Sequence, residues 1–176
     1  MTKCLLITCV FDPEPVVSAR TSFDIANFLS KEGNSVTVVA PIPSRPSGKI
    51  YKGYISRMFA FNQKSSLDKF RIVRLLSFPS PKSSLISRLL ENLSFGFCSS
   101  IYLLFRSHRY DVIYLNTWPL FATAMNVWVA KLFDIPVVRS IQDVYPATLL
   151  SQERAASDSF LMRVLTKLEK FNYRHS

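Results

Sequence analysis

The stretch CLLITCVFDPEPVVSARTSFDIANFLSKEGNSVTVVA, Cys4 to Ala40, decides the fold. It opens on an apolar run, Cys4 to Val10, and closes on another, Ser35 to Ala40. Between them, Ser18 to Lys31 carries Phe23, Ala26 and Leu29 near one helical face, with Ile25 and Phe28 beside them. Gly33 stands where such a helix would stop, and Lys31 in the last turn suits the negative end of the helix dipole. Strand, helix and strand at this spacing predict parallel pairing.

Working outward, strand patterns recur at Phe70 to Leu76, Val112 to Asn116 and Val137 to Ile141. Helical patterns cover Leu85 to Phe105, with a break expected at Gly96, and Leu120 to Phe133. Asp134-Ile135-Pro136 then turns the chain into the next strand. Runs as uniformly apolar as CLLITCV and VIYL fit strands covered on both faces, so the expected fold is α/β: a doubly wound, mostly parallel sheet with helices on both faces. Ligands of such sheets bind beyond the carboxyl ends of the strands. That edge gathers three loops: Phe11 to Ser18, Asn116 to Leu120 and Gln142 to Pro146. Pro41 to Lys52 and Phe78 to Ser84 read as loops within one domain, residues 1–176.

A chain of 176 residues, 48% of them hydrophobic, can bury one good core. Val112 to Ala130 is uncharged and nearly long enough to cross a bilayer, but Asn116, Thr117, Pro119 and Asn126 favour strand, turn and helix there. Cys4, Cys9 and Cys98 lack metal-ligand spacing and read as buried thiols; no metal site is expected. Met1-Thr2-Lys3 leads straight into a strand without the regions of a signal peptide, which predicts a cytoplasmic chain.

The net charge of +10 is unevenly spread. Arg45 to Arg109 holds Arg45, Lys49, Lys52, Arg57, Lys64, Lys69, Arg71, Arg74, Lys82, Arg88, Arg106 and Arg109 against only Asp68 and Glu91. A field so focused either meets an anionic partner or is a solvated basic face. Nucleic acid is not the expected partner: the region has no helix-turn-helix or ribonucleoprotein pattern, and its cations alternate with apolar residues.

The first crossover, FDPEPVVS (Phe11 to Ser18), contains no glycine. A dinucleotide fingerprint or P-loop needs glycines so that backbone can approach the phosphates. NAD, FAD and P-loop nucleotides are thereby excluded. Ser18 is a candidate cap for the helix that follows, with Arg20 close by; the pair reads either as an anion site at the helix start or as a plain cap and a surface charge.

Three stretches in order, FDPEPVVSARTSFDIANFLSKEGNSVTVVAP, YDVIYLNTWPLFATA and IPVVRSIQDVYPATLL, carry a family resemblance across nearly the whole chain. They resemble the N-terminal domain of GT-B glycosyltransferases of family 4, and within it the subgroup similar to fucosaminyl-type transferases of bacterial O-antigen and capsule synthesis. The resemblance implies a Rossmann-like, acceptor-binding half of an enzyme. Its partner would be a C-terminal domain that holds a nucleotide-sugar as donor substrate and carries a paired-glutamate motif not found in this chain. It implies transfer of a sugar to a lipid-linked saccharide, without cofactor or metal, at the inner face of the plasma membrane, and no activity for this half alone. The alternative is a non-catalytic subunit of a split glycosyltransferase that binds the lipid acceptor.

Where many relatives have a histidine near the end of the fifth strand, this chain has Gln142 and Asp143. Asp143 is therefore the first catalytic candidate and Glu14 the second, as carboxylates able to orient an acceptor hydroxyl or take its proton. Asp143 reads equally as a helix cap before Pro146, and Glu14 as a loop residue. Ser18, Arg20 and Arg139 are candidates for phosphate contact, with Asn116, Trp118 and Gln142 as further substrate-binding candidates. Trp118 stacks on a sugar or isoprenoid unit in one reading and anchors the neighbouring helix in the other. Ile55 to Phe61 and Leu85 to Leu90 mix cations with large apolar residues, as segments on an anionic membrane surface do; the other reading of those apolar residues is ordinary core packing.

Overall fold

The computed structural model describes residues 1–54, 59–63, 70–79, 85–116, 119–141 and 160–176. In chain order the elements are β1 (Lys3–Ile7), α1 (Val17–Lys31), β2 (Ser35–Pro41), β3 (Phe59–Gln63), β4 (Arg71–Leu75) and α2 (Leu85–Arg106). A short 3-10 turn, β5 (Val112–Asn116), α3 (Leu120–Leu132), β6 (Val137–Ser140) and α4 (Phe160–Arg174) follow. The sheet order is β3-β4-β2-β1-β5-β6. All neighbours pair in parallel except β3, which runs antiparallel to β4 and shifts register between Phe61 and Gln63.

Alternation along the strands divides the core in two. Leu5, Ile7, Val39, Val73, Ile113 and Leu115 lie in one cluster with residues of α2 and α3. Cys4, Leu6, Val36, Val38, Ala40 and Ile72 lie in the other, with Ala26, Phe23 and Leu29 of α1. Both faces of each central strand are thus covered, which is why CLLITCV shows no polar alternation. This is the doubly wound, Rossmann-like α/β fold expected from the opening stretch.

Several boundaries differ from the sequence reading. β1 stops at Ile7, because the Thr8 hydroxyl donates to the Val10 carbonyl (2.9 Å) and turns the chain. α2 runs unbroken through Gly96, whose missing side chain serves packing: a Cβ there would lie 2.7 Å from the Ala122 Cα of α3. The strand β3 was not foreseen; its Phe59 to Phe61 belongs to one of the segments expected on a membrane surface, while Ile55 to Met58 lie outside the described residues. The apolar span from Val112 divides into β5 and α3, and no described helix is long and apolar enough to cross a membrane.

The end of α1 follows the sequence signal. Gly33 adopts φ +83°, and the N–H groups of Gly33 and Asn34 donate to the carbonyls of Ser30 (3.1 Å) and Leu29 (3.2 Å). This left-handed stop satisfies two carbonyls at the end of the helix.

Candidate functional site

From β1 the chain steps outward to β2 and β4, then returns to β5 and β6 on the other side. The strand order therefore reverses between β1 and β5, and the carboxyl edge opens a crevice there. Asn116, the last residue of β5, fills its floor. Its amide donates to the hydroxyls of Thr8 (2.9 Å) and Ser22 (3.0 Å), while the Thr123 hydroxyl reaches its carbonyl (3.2 Å). One buried side chain thus ties β1 and α1 to β5, and its carbonyl brings in α3. The Asn116 Oδ1 has no partner among the described residues.

The glycine-free crossover is shaped by two buried charges. Glu14 accepts from the backbone N–H groups of Ser44 and Arg45 (both 2.9 Å) and of Phe11 (3.4 Å). Arg74 of β4, 2% exposed, donates to the Pro41 carbonyl (3.1 Å) and to the Asp12 carbonyl. Its guanidinium lies over the rings of Phe11 and Tyr54, each at 5.7 Å. Burial pulls the Arg74 pKa down, opposed by Tyr54, Glu14 and Asp12. Arg45 and Glu91 form an ion pair at 2.8 Å that fastens the β2 loop to α2. Side chains, rather than glycines, set the path of the backbone through this turn.

Outside this brace lies an open cleft of about 410 Å³, lined by Asp12, Pro15, Val17, Arg20 and Phe23 among others. That is within the range of small-ligand sites, roughly 300–1,000 Å³. Arg20 sits on its exposed wall, where it pairs with Asp24 (3.2 Å) and lies 5.5 Å from the Phe23 ring centre.

Ser18 is not the cap of α1. The helix begins at Val17, Val16 holds the cap position without a side-chain hydrogen bond, and Ser18 accepts the Ser22 hydroxyl through its carbonyl (2.9 Å). Glu14 is 6% exposed with its oxygens engaged by backbone, which makes it a brace of the crossover. Arg139 faces away from the cleft into α4: it pairs with Glu169 at 3.0 Å, both side chains buried, and lies 4.8 Å from the Tyr173 ring centre. Its charge is taken up there and not offered to a phosphate. Trp118, Gln142 and Asp143 lie outside the described residues.

The three thiols are free; burial pushes that of Cys9, beside the crossover, up to about 12, so it stays protonated. Sequence reasoning missed Arg74, Thr8 and Ser22. A signal for Arg74 was present, since a second arginine inside the apolar run RIVRLL cannot lie on a sheet covered on both faces without buried partners.

The model of Glycosyltransferase Family 4 matches residues 18–176. No curated protein sequence matches the chain. Among solved structures it is similar to the catalytic domain of starch synthase IV from Arabidopsis thaliana bound to ADP and acarbose, with 13% identity and a TM-score of 0.49. The likeness covers 85% of this chain and 32% of that one, so this chain spans about a third of its length. With the family match running from the first helix to the last residue, this chain belongs to glycosyltransferase family 4.

Proposed function

We propose that this chain is the acceptor-binding half of a GT-B glycosyltransferase. It would act with a C-terminal domain that holds a nucleotide-sugar, and transfer the sugar to a lipid-linked saccharide. The observation that carries this reading is the cleft outside the braced crossover. Its lining offers the apolar surfaces of Pro15, Val17 and Phe23, with two acidic residues, Asp12 and the backbone-engaged Glu14, and one cation, Arg20. Sugar rings suit such a surface, since their C–H faces pack on apolar groups while hydroxyls donate to a carboxylate. A pyrophosphate would need several N–H donors or cations converging on it.

Asp143 remains our candidate for the group that orients the acceptor hydroxyl or takes its proton. β6 ends at Ser140, on the same edge as the crossover, three residues before it. Trp118 and Gln142, two residues beyond the ends of β5 and β6 in sequence, are candidates for acceptor contact. The resemblance to fucosaminyl-type transferases supports a hexosyl or amino-sugar donor and a place in bacterial surface polysaccharide synthesis, with the acceptor presented at the inner face of the membrane.

The test uses this chain and the same chain joined to its nucleotide-sugar domain, with radiolabelled nucleotide-sugars and detergent-extracted pyrophosphate-linked saccharides. The joined protein is expected to transfer label and lose most turnover on Asp143→Asn, while the 176-residue chain alone binds acceptor saturably without turnover. Turnover by this chain alone, or absence of acceptor binding, overturns the reading.

A further inference from the structure

Among the described residues, one face of the helical layer is left without a partner. On α2, Leu90, Phe97 and Leu104 recur two turns apart on the side opposite buried Phe95, Cys98 and Tyr102. On α3, Trp128 and Leu132 are exposed, and on α4, Leu168 and Phe171 flank them. Together these helices form an apolar groove of about 470 Å³. Phe97 is 59% exposed and Trp128 56%, unusual values for such large apolar side chains in a chain with two well-filled cores. A contiguous exposed patch of this kind marks an interaction surface.

Charge identifies the occupant. α4 carries Arg163, Lys167, Lys170 and Arg174 at spacings of four, three and four, one stripe along its outer face beside the apolar row of Leu168 and Phe171. Lys131 of α3 adds to this rim, with its Nζ 3.3 Å from the His175 Nε2. The only carboxylates in α2, α3 and α4 are Glu91 and Glu169, and both are engaged, with Arg45 and Arg139. The net field of these helices is therefore positive beside a large-aromatic apolar strip. That combination fits an anionic lipid surface: apolar side chains enter the headgroup boundary while cations meet phosphates.

We infer that the α2–α3–α4 face is a docking surface for an anionic lipid bilayer, with Phe97 and Trp128 inserted and the α4 stripe on the headgroups. The inference deepens the lipid-linked acceptor reading and rests on it for its purpose, though not for its test. It keeps Leu90 of the Leu85 to Leu90 segment and extends the contact along α2 to α3 and α4.

The experiment is sedimentation of the chain with vesicles of phosphatidylcholine, alone or mixed with phosphatidylglycerol, in low and high salt. Tryptophan emission is followed in a Trp118→Phe background so that Trp128 alone reports. Binding is expected only to the mixed vesicles, weakened by salt, with Trp128 emission shifted to the blue. Lys167→Gln with Lys170→Gln should weaken it roughly thirtyfold, and Phe97→Ser about tenfold. These side chains are solvent-facing, and circular dichroism of each variant confirms that the fold is kept.

Equal binding by these variants, or binding blind to lipid charge, overturns the inference. So does a concentration-dependent dimer that Phe97→Ser dissolves, which would assign the face to a second copy of the chain. Detergent-solubilised acceptor binding separates the two readings. Its retention with vesicle binding lost sinks the docking face alone; its absence with vesicle binding kept sinks the acceptor reading alone.

Discussion

Arg74 and Arg139 are both buried on strands at the carboxyl edge, one on each side of the crevice between β1 and β5, yet they are satisfied in opposite ways. Arg74 donates to backbone carbonyls, Pro41 and Asp12, and is stacked between Phe11 and Tyr54. Arg139 meets a carboxylate, Glu169, and the ring of Tyr173. The first holds a loop in shape; the second holds a helix in place. A carbonyl-bound arginine cannot be replaced together with its partners, because the partners are main chain. An ion pair can.

The difference sets the largest expected effect. Arg74→Met should lower stability by about 4 kcal/mol, since two carbonyls lose a charged donor in a buried site and the cation opposite Glu14 disappears. Adding Glu14→Gln should recover nothing, because the amide serves the N–H groups of Ser44 and Arg45 less well and leaves the carbonyls as they were. Urea unfolding midpoints decide it. Recovery by the double variant would mean that Arg74 and Glu14 act as an ion pair, and the contrast with Arg139 would vanish.

Arg139→Met should cost about 3 kcal/mol, because Glu169 is then buried without a counter-charge. Here Glu169→Leu is expected to restore stability to within about 1 kcal/mol of the parent, as removal of a whole buried pair often does. The Arg139 Nε and Nη1 and the Glu169 Oε2 have no hydrogen-bond partner among the described residues, so the pair forfeits part of what its burial costs. A double variant no more stable than the single one would show that α4 depends on the pair for its placement.

The same two arginines show what the sequence discloses. The sheet was legible because its signals are local: the apolar runs around Leu5 and Ile113, the helical spacing of Phe23 and Ala26, and Gly33 as a stop all lie within one element or its neighbour. The partners of polar groups were not. Glu14 stands in a cleft-forming loop and so resembles a catalytic carboxylate, but the N–H groups that occupy it come from Ser44 and Arg45, 30 and 31 residues away. Arg139 ends a strand where a phosphate contact belongs, yet Glu169 arrives on a helix 30 residues later. Ser18 has the chemistry of a cap two positions too far in, because Val16 and Val17 already follow the extended-to-helical turn. The strand β3 escaped because a short antiparallel edge with a register shift has no clean period to read.

The smallest effect concerns how the helices on the two sides end. α1, beside the crossover, stops on Gly33 with φ +83°, whereas α3, on the Arg139 side, stops on Asp134 with φ +51°. The bonding is alike. Asp134 N–H reaches the Lys131 carbonyl at 3.4 Å and Ile135 N–H the Ala130 carbonyl at 3.0 Å, as Gly33 and Asn34 do for Ser30 and Leu29. A side chain in the left-handed region crowds its own carbonyl, and aspartate tolerates this better than most residues without escaping it. Asp134→Gly should therefore raise stability, by about 0.5 kcal/mol once the greater freedom of glycine in the unfolded chain is subtracted. Gly33→Ala should lower it by about 1 kcal/mol, although space is not the obstacle, since nothing lies within 4 Å of a Cβ at Gly33. Opposite signs from the two substitutions would isolate backbone conformation as the cause. Equal signs would point instead to the Asp134 carboxylate, as a negative charge lost beside Lys131 at the end of α3.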